Sequence, residues 1–389
     1  MDGTYEMDYQ EMNPDDVQTM FADEEAIPVE KPKAKPKGKL GTLEEDFARE
    51  FGAGKICRLG ANEKMMDIKV RSSGSLTLDL ALGGGYPHGR LVELRGLERS
   101  GKTTLLNLAI AEAQRNEPDK ECAIIDLEYT YNPEWARLLG VDTDKLFFSQ
   151  PDTYAEQVFD MVEYLVATNR FSIIGIDSVA ALVGKDEFEQ QNWDKASRVG
   201  GTSQINAKAV RKIINTGLLT HSGTTLICVN QLRDKIGGFS PYGTPTDTPG
   251  GRSLKFAYTH QVDVSIGEQF RKGTGDATIV LGQQIKTKIA KNKIAPPHKR
   301  ATLDLYYEFG IDKIVELVSV AKAIGVLNGT SWLTLVDITT GEVIKTQDSK
   351  DIKFNGKDKA IEALKEDVAN NGGELYCLMF DIVNRALRG

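Results

Sequence analysis

From about Arg71 onward the chain alternates short, nearly unbroken apolar runs with longer stretches whose apolar residues recur at helical spacing. The runs Leu91–Leu94, Cys122–Glu128, Ser172–Asp177 and Thr224–Gln231 read as strands buried on both faces, and Leu105–Ala113 reads as a helix. Strands separated by helices argue an α/β fold: a largely parallel sheet with helices on both faces, here over residues 67–311. After Ile311 the texture changes to a helix, a small β element around WLTLVDITTGEVI and two more helical stretches. Residues 312–389 are therefore expected to form a small α+β domain. Ahead of the core, Thr42 opens a T-x-x-E capping box with Glu45, and Gly52 can end the helix it starts. The strand-like KICRLG follows, which makes 41–66 a helix-and-strand segment. Residues 1–40 carry few large apolar groups and run from an acidic half into KPKAKPKGK, so they are expected to be disordered.

Between the strand at Leu91–Leu94 and the helix at Leu105–Ala113 lies GLERSGKTT, residues 96–104. Gly96, Gly101, Lys102 and Thr103 fill the pattern G-x-x-x-x-G-K-[ST], with Glu98, Arg99, Ser100 and Thr104 completing the turn. Such glycines let backbone N–H groups curl around an anion, and the helix start adds partial positive charge. Lys102 can reach the β- and γ-phosphates of a nucleotide, and the Thr103 hydroxyl suits Mg²⁺.

In open α/β sheets ligands collect beyond the carboxyl ends of the strands. SIIGIDS ends in Asp177 and Ser178, and an Asp there can hold the Mg²⁺ shell. AIIDLE ends in Glu128, the best candidate for the group that orients or deprotonates water, with Asp126 expected to face elsewhere. LICVNQLR ends in Asn230 and Gln231, amides able to bind a γ-phosphate and report its loss. Each is ordinary turn chemistry alone. Together, beside a phosphate loop, they describe a hydrolytic site.

Residues 233–253, RDKIGGFSPYGTPTDTPGGRS, hold five glycines and three prolines and are expected to lack regular structure. Phe239 and Tyr242 are interleaved with Arg233, Lys235 and Arg252, and Gly250 and Gly251 lie near the end. Rings for stacking among cations for phosphates suit single-stranded nucleic acid. The net charge of −8 hides an uneven distribution. Residues 1–30 hold ten of the 56 acidic residues and no Lys or Arg, leaving 48 basic against 46 acidic elsewhere. Arg271–Arg300 alone carries eight basic residues and one acidic. An acidic arm on a body with basic patches fits a nucleic-acid binder with a built-in competitor.

With 40% hydrophobic and 27% charged residues, the composition is that of a soluble globular protein, and no apolar stretch is long enough to span a membrane. The acidic N-terminus lacks the apolar core of a secretory signal. Cys57, Cys122, Cys228 and Cys377 form no C-x-x-C, so neither a metal site nor a disulfide framework is expected, and a reducing cytoplasm is. Cys122 and Cys228 fall in apolar runs and read as small buried hydrophobes.

Taken in order, GKICRLG, SSGSLTLDLALGGGYPHGRLVEL, the phosphate loop, CAIIDLE, LLGVD, QPDT, IIGIDSVAAL, VNQLRDKIG, GGRSLKF and KNKIAPP follow the pattern of the bacterial RecA recombinases. The chain resembles that family over about residues 42–389. The resemblance implies an ATP- and Mg²⁺-dependent protein that polymerises as a helical filament on single-stranded DNA and exchanges strands with a homologous duplex. Single-strand-binding and loading proteins are further candidate partners. By position, it implies that Lys102, Thr103 and Asp177 bind Mg·ATP, with Ser178 beside them. Glu128 activates water, and Gln231 couples the γ-phosphate to the DNA loop. It puts Trp135 on the adenine and Tyr307 at a second position of the pocket. Lys291 and Lys293 match paired lysines that reach a neighbour's ATP; Lys255, Phe256, Phe47 and Ile56 match subunit contacts.

The first DNA loop, about Glu187 to Thr202, resembles the family poorly, which leaves Arg198 and Arg211 as candidates only. Arg99 replaces a small polar residue, and the acidic segment stands at the front of the chain, where the family usually carries one at the end. These departures mark a divergent member. Two other readings remain open from sequence: a hexameric helicase or motor of the same core, and a DNA-coating scaffold with little turnover.

Overall fold

The computed structural model of the protein describes residues 42–53, 56, 58, 68–190, 201–234, 246–247, 251–273, 278–346 and 348–388. The chain divides into two units, 1–66 and 67–389. In the first, helix α1 (Leu43–Phe51) begins at the expected capping box. Thr42 Oγ1 accepts from the Glu45 amide, and the Glu45 carboxylate accepts from the Thr42 amide. Gly52 closes the helix onto the Ala48 carbonyl. Of the strand expected at KICRLG, only Ile56 and Arg58 lie within the described residues, and residues 1–41 lie outside them.

The second unit opens with β1 (Val70–Arg71), α2 (Leu76–Leu82) and β2 (Tyr86–Pro87). Then follow β3 (Leu91–Gly96), α3 (Lys102–Asn116), β4 (Glu121–Asp126), α4 (Pro133–Leu138), β5 (Leu146–Ser149), α5 (Ala155–Ala167) and β6 (Phe171–Asp177). Next come α6 (Lys185–Phe188), α7 (Gly201–Asn215), α8 (Leu218–Ser222) and β7 (Thr225–Gln231). The strands β8 (Arg233–Asp234) and β9 (Thr246–Asp247) and helix α9 (Gly251–Ala257) lead to β10 (His260–Lys272), β11 (Ile279–Asn292), β12 (Arg300–Tyr306) and β13 (Gly310–Ile311). The chain ends with α10 (Lys313–Ile324), β14 (Leu327–Asn328), β15 (Trp332–Asp337), β16 (Glu342–Val343), β17 (Lys353–Asn355), α11 (Gly356–Asn370) and α12 (Glu374–Arg388).

The nine-stranded central sheet runs β13–β12–β11–β10–β3–β7–β6–β4–β5. The strands from β10 to β5 are parallel neighbours, as the alternating pattern predicts. Beyond β10 the sheet continues antiparallel. That wing is where sequence reading sees a basic patch: exposed Lys286 and Lys288 alternate along β11 with buried Ile285, Thr287 and Ile289. One face is packed and the other open, the usual condition of antiparallel strands.

Alternation along the strands separates two apolar cores. Val92, Leu94, Ile227 and Val229 pack under α3 with Leu105, Leu106 and Ile110. Leu91, Leu226 and Cys228 face the other side, with Val158, Phe159 and Val162 of α5. A third core joins α10, α11, α12 and the strands between them, and includes Leu76. No helix among the described residues is long and apolar enough to cross a membrane.

The register sets the site. Gly96 at the end of β3 pairs with Gln231 at the end of β7, and Asp177 at the end of β6 pairs with Asp126 at the end of β4. The polar ends of four strands thus stand in one row.

Candidate functional site

The turn from β3 into α3 lines a cavity of about 590 Å³ with Glu98, Arg99, Ser100, Gly101, Lys102, Thr103 and Thr104. Only glycine fits at its hinges. A Cβ at Gly96 would lie 2.2 Å from the Val264 carbonyl oxygen, and Gly101 has φ +96° with Ile285 directly against it. Arg99 holds φ 60° despite its side chain, a left-handed conformation uncommon outside Gly, Asn and Asp. Lys102 is buried, and its ammonium donates to the carbonyls of Gly96 at 3.1 Å and Leu97 at 2.6 Å. Burial lowers its pKa, against the opposing pull of Asp177, Glu128 and Glu98.

Thr103 Oγ1 donates to Asp177 Oδ2 at 2.6 Å, tying the first turn of α3 to the end of β6. Burial raises the Asp177 acid to about 6; Glu128 and Asp126 push the same way, and Thr103 and Lys102 oppose them. A carboxylate short of positive charge beside a hydroxyl is a donor set that fits Mg²⁺.

Glu128 stands just past β4, and Asp126 places it. Asp126 Oδ1 accepts from the amides of Glu128 and Tyr129, each at 3.1 Å, and its Oδ2 accepts from the Tyr131 amide at 3.1 Å and from Gln150 Nε2 at 2.9 Å. The acid expected to face elsewhere is therefore the clamp of the loop that presents Glu128. The Glu128 carboxylate in turn accepts from Ser178 Oγ and, at 2.8 Å, from Gln231 Nε2. The ends of β4, β6 and β7 meet at one carboxylate oxygen.

At the far side, Asn132 caps α4 through the Trp135 amide, and the Trp135 ring N–H donates to Thr104 Oγ1 at 3.2 Å. Its ring meets Tyr307 edge to face at 6.5 Å, and both line the cavity. Gln283 and Leu305 line it too, from the antiparallel wing. Sequence reasoning misses them, although the alternation of Ala301, Leu303 and Leu305 along β12 is a period-two signal that could have located that strand.

The remaining candidates are spread over several elements. Lys291 Nζ donates to the carbonyls of Lys255 at 2.7 Å and Phe256 at 3.1 Å, and Lys293 Nζ to that of Phe256 at 3.0 Å. The pair thus holds the carbonyl end of α9, whose Phe256 side chain is 74% exposed. Burial, then Lys293, lowers the Lys291 pKa. Arg211 is exposed on α7, while Phe47 lies on α1, within the other unit. Residues 233–253 are not wholly irregular, as their composition suggested: Arg233–Asp234 pair antiparallel with Thr246–Asp247, and Gly251 and Arg252 begin α9. Two-residue pairing across a Gly- and Pro-rich span leaves no trace in local composition. Arg198, Lys235, Phe239, Tyr242 and Gly250 lie outside the described residues.

A largely parallel sheet with a phosphate loop, an Asp ending β6, one strand removed from the loop's own β3, and an amide-bridged Glu defines a P-loop nucleoside triphosphatase. Residues 40–312 match the RecA N-terminal domain. The chain is 40% identical to the Protein RecA of Thermus thermophilus over 320 residues, 82% of this chain and 86% of that protein. It is equally identical to the Protein RecA of Ruminococcus albus over 308 residues, 79% of this chain and 74% of that one. With that of Chlorobaculum tepidum it shares 40% over 317 residues, 80% and 88% of the two chains. The chain belongs to the RecA family. It is an ATP-dependent recombinase and DNA-dependent ATPase that uses Mg²⁺, binds single-stranded and duplex DNA and forms filaments; the motor and scaffold readings are not favoured.

Proposed function

We propose that the row of strand ends performs the hydrolytic half of recombination, with each residue in a separate role. Lys102 exchanges the Gly96 and Leu97 carbonyls for the β- and γ-phosphates of ATP, an ammonium moving from weak neutral acceptors to an anion. Thr103 would hold Mg²⁺ through its hydroxyl and Asp177 through water, and the ion when bound neutralises charge on the phosphates. Glu128 orients the attacking water and takes its proton. Gln231 leaves or keeps the Glu128 oxygen according to whether a γ-phosphate competes for its amide, and β7 carries that change into residues 233–253 and their DNA contacts. Trp135 and Tyr307 flank the base.

Lys291 and Lys293 act on the nucleotide of a neighbouring protomer, so that the site is complete only within a filament. Arg233, Lys235, Phe239, Tyr242, Gly250, Gly251 and Arg252 are the DNA-binding segment, joined by Arg198 and Arg211. Single-strand-binding and loading proteins are expected partners during filament assembly, in the cytoplasm.

The observation that carries this reading is the 2.8 Å hydrogen bond between Gln231 and Glu128. It joins the water-activating group to the strand that leads into the DNA segment. The deciding experiment measures ATP hydrolysis with and without single-stranded DNA and images the protein with an ATP analogue and that DNA. Strong stimulation and open helical filaments are expected. Hydrolysis indifferent to DNA, or closed rings, would refute the reading.

A further inference from the structure

Glu93 interrupts an apolar strand. Around it in β3, Leu91, Val92 and Leu94 are core residues, and Glu93 itself is 1% exposed. A carboxylate at such depth is costly unless its oxygens are hydrogen-bonded. Its Oε1 accepts from Asn230 Nδ2 at 2.8 Å and its Oε2 from Gln261 Nε2 at 2.7 Å. The Arg95 guanidinium lies 3.9 Å from Oε2 and is itself held by Asp263 at 2.6 Å. Register explains the meeting. Glu93 is paired with Cys228 on β7 and with Gln261 on β10, and Asn230 follows two residues after Cys228 on the same face. One carboxylate thus fastens three adjacent strands.

What those strands carry gives the contact its meaning. Asn230 immediately precedes Gln231, whose amide binds Glu128. Gln261 is paired across β11 with Lys291, whose ammonium holds the end of α9. We infer that Glu93 is a positioning residue for ATP hydrolysis: through Asn230 it sets where Gln231 meets Glu128, and through Gln261 it sets the strand that presents the lysine pair. The inference rests on the roles proposed above for Glu128 and Gln231. An apolar side chain at this position would fill the space but leave the Asn230 and Gln261 amides without an acceptor, whereas two directional bonds fix the orientation of both side chains. Glu93 does not line the nucleotide cavity, so its action passes through its partners.

The test exploits the pairing of donors and acceptors. Glu93→Gln sets an amide nitrogen against one of the two amide donors. DNA-stimulated turnover is expected to fall by roughly tenfold or more, since small displacements of catalytic groups carry such penalties, while the dissociation constant of a fluorescent ATP analogue stays nearly unchanged. The double variant Glu93→Gln/Gln261→Glu restores a matched set. The new amide at 93 donates to the new carboxylate at 261 and still accepts from Asn230, so turnover is expected to recover. Undiminished turnover in the single variant, or equal loss of nucleotide binding and turnover, overturns the inference. So does a folded double variant that remains slow, and the double variant decides the matter where the single one fails to fold. Gln231→Ala separates the two claims. Turnover lost there but kept in Glu93→Gln sinks the positioning role alone; turnover kept in both sinks the assignment of Gln231.

Discussion

Thr103 and Asp177 stand 2.6 Å apart, hydroxyl to carboxylate, across the join between the first turn of α3 and the end of β6. Burial holds the Asp177 acid up at about 6, so in its proposed role a proton competes near neutral pH with the hydrated Mg²⁺ that Asp177 would hold through water. Its pKa is raised, so the carboxylate is charged above about 6 and protonated below. The Mg²⁺ midpoint of ATP hydrolysis should therefore move to higher concentration as pH falls through that value. Asp177→Asn should raise the midpoint by roughly tenfold or more at neutral pH and remove this part of the pH dependence. Subtracting the variant's profile from that of the parent cancels the titration of ATP itself. Parallel profiles would acquit Asp177.

Glu128→Gln retains an oxygen able to accept from Ser178 and Gln231 while removing the proposed base. Turnover is expected to fall by roughly 10²- to 10⁴-fold, the usual worth of a positioned general base. Binding of the ATP analogue and assembly on DNA should persist, because Lys102, Thr103 and Asp177 are untouched. Steady-state hydrolysis beside filament imaging checks both halves. Turnover at the parent rate would remove Glu128 from its role.

A second buried acid is expected to make folding stability depend on pH. Asp79, in α2, accepts from Ser72 Oγ at 2.6 Å and from the Ser73 amide at 2.7 Å, yet burial raises its acid to about 7, with Glu316 adding slightly. Because the folded-state pKa lies above the unfolded value of 3.8, the stability contributed by the proton is complete below that value and is lost as pH rises through about 7. Asp79→Asn keeps an oxygen for the Ser73 amide and carries no charge. Relative to the variant, the parent should lose on the order of a few kcal/mol at most between pH 5 and 8, read from denaturant unfolding at each pH. Stability curves that stay parallel would show that Asp79 ionises without penalty.

The parallel half of the sheet was legible because strands covered on both faces read as unbroken apolar runs, and the phosphate loop because its chemistry fixes its spacing. Lys102, Thr103, Glu128, Asp177 and Gln231 all fell at strand ends that could be located that way. The antiparallel wing was missed: along β11 Lys286 and Lys288 look like part of a charged patch until Ile285, Thr287 and Ile289 are seen to be buried between them. Nor was the work of Asp126, which depends on the loop turning back so that three amides within five residues reach one side chain. Glu93 posed the same difficulty at longer range. Its odd charge in an apolar strand is visible in the sequence, but its partners lie 137 and 168 residues away and are brought to it only by register across the sheet.

Charge along the chain supports a last expectation. Residues 1–30 hold ten acidic residues and no Lys or Arg, whereas the rest of the chain is nearly balanced, at 48 basic to 46 acidic. On the wing, exposed Lys288 is paired with exposed Arg300, and Lys286 lies two residues along the same strand. An anionic segment on the same chain competes with DNA for such cations, and the competition weakens as salt shortens the reach of each charge to roughly 10 Å at 0.1 M. Deleting residues 1–30 should therefore tighten duplex binding at low salt, steepen the fall of affinity with salt, and bring the two forms together at high salt. Anisotropy titrations of a labelled duplex across a salt series measure all three effects at once. The acidic residues act as a competitor only if the two forms diverge at the low-salt end; superimposed titrations throughout would make them bystanders to DNA binding.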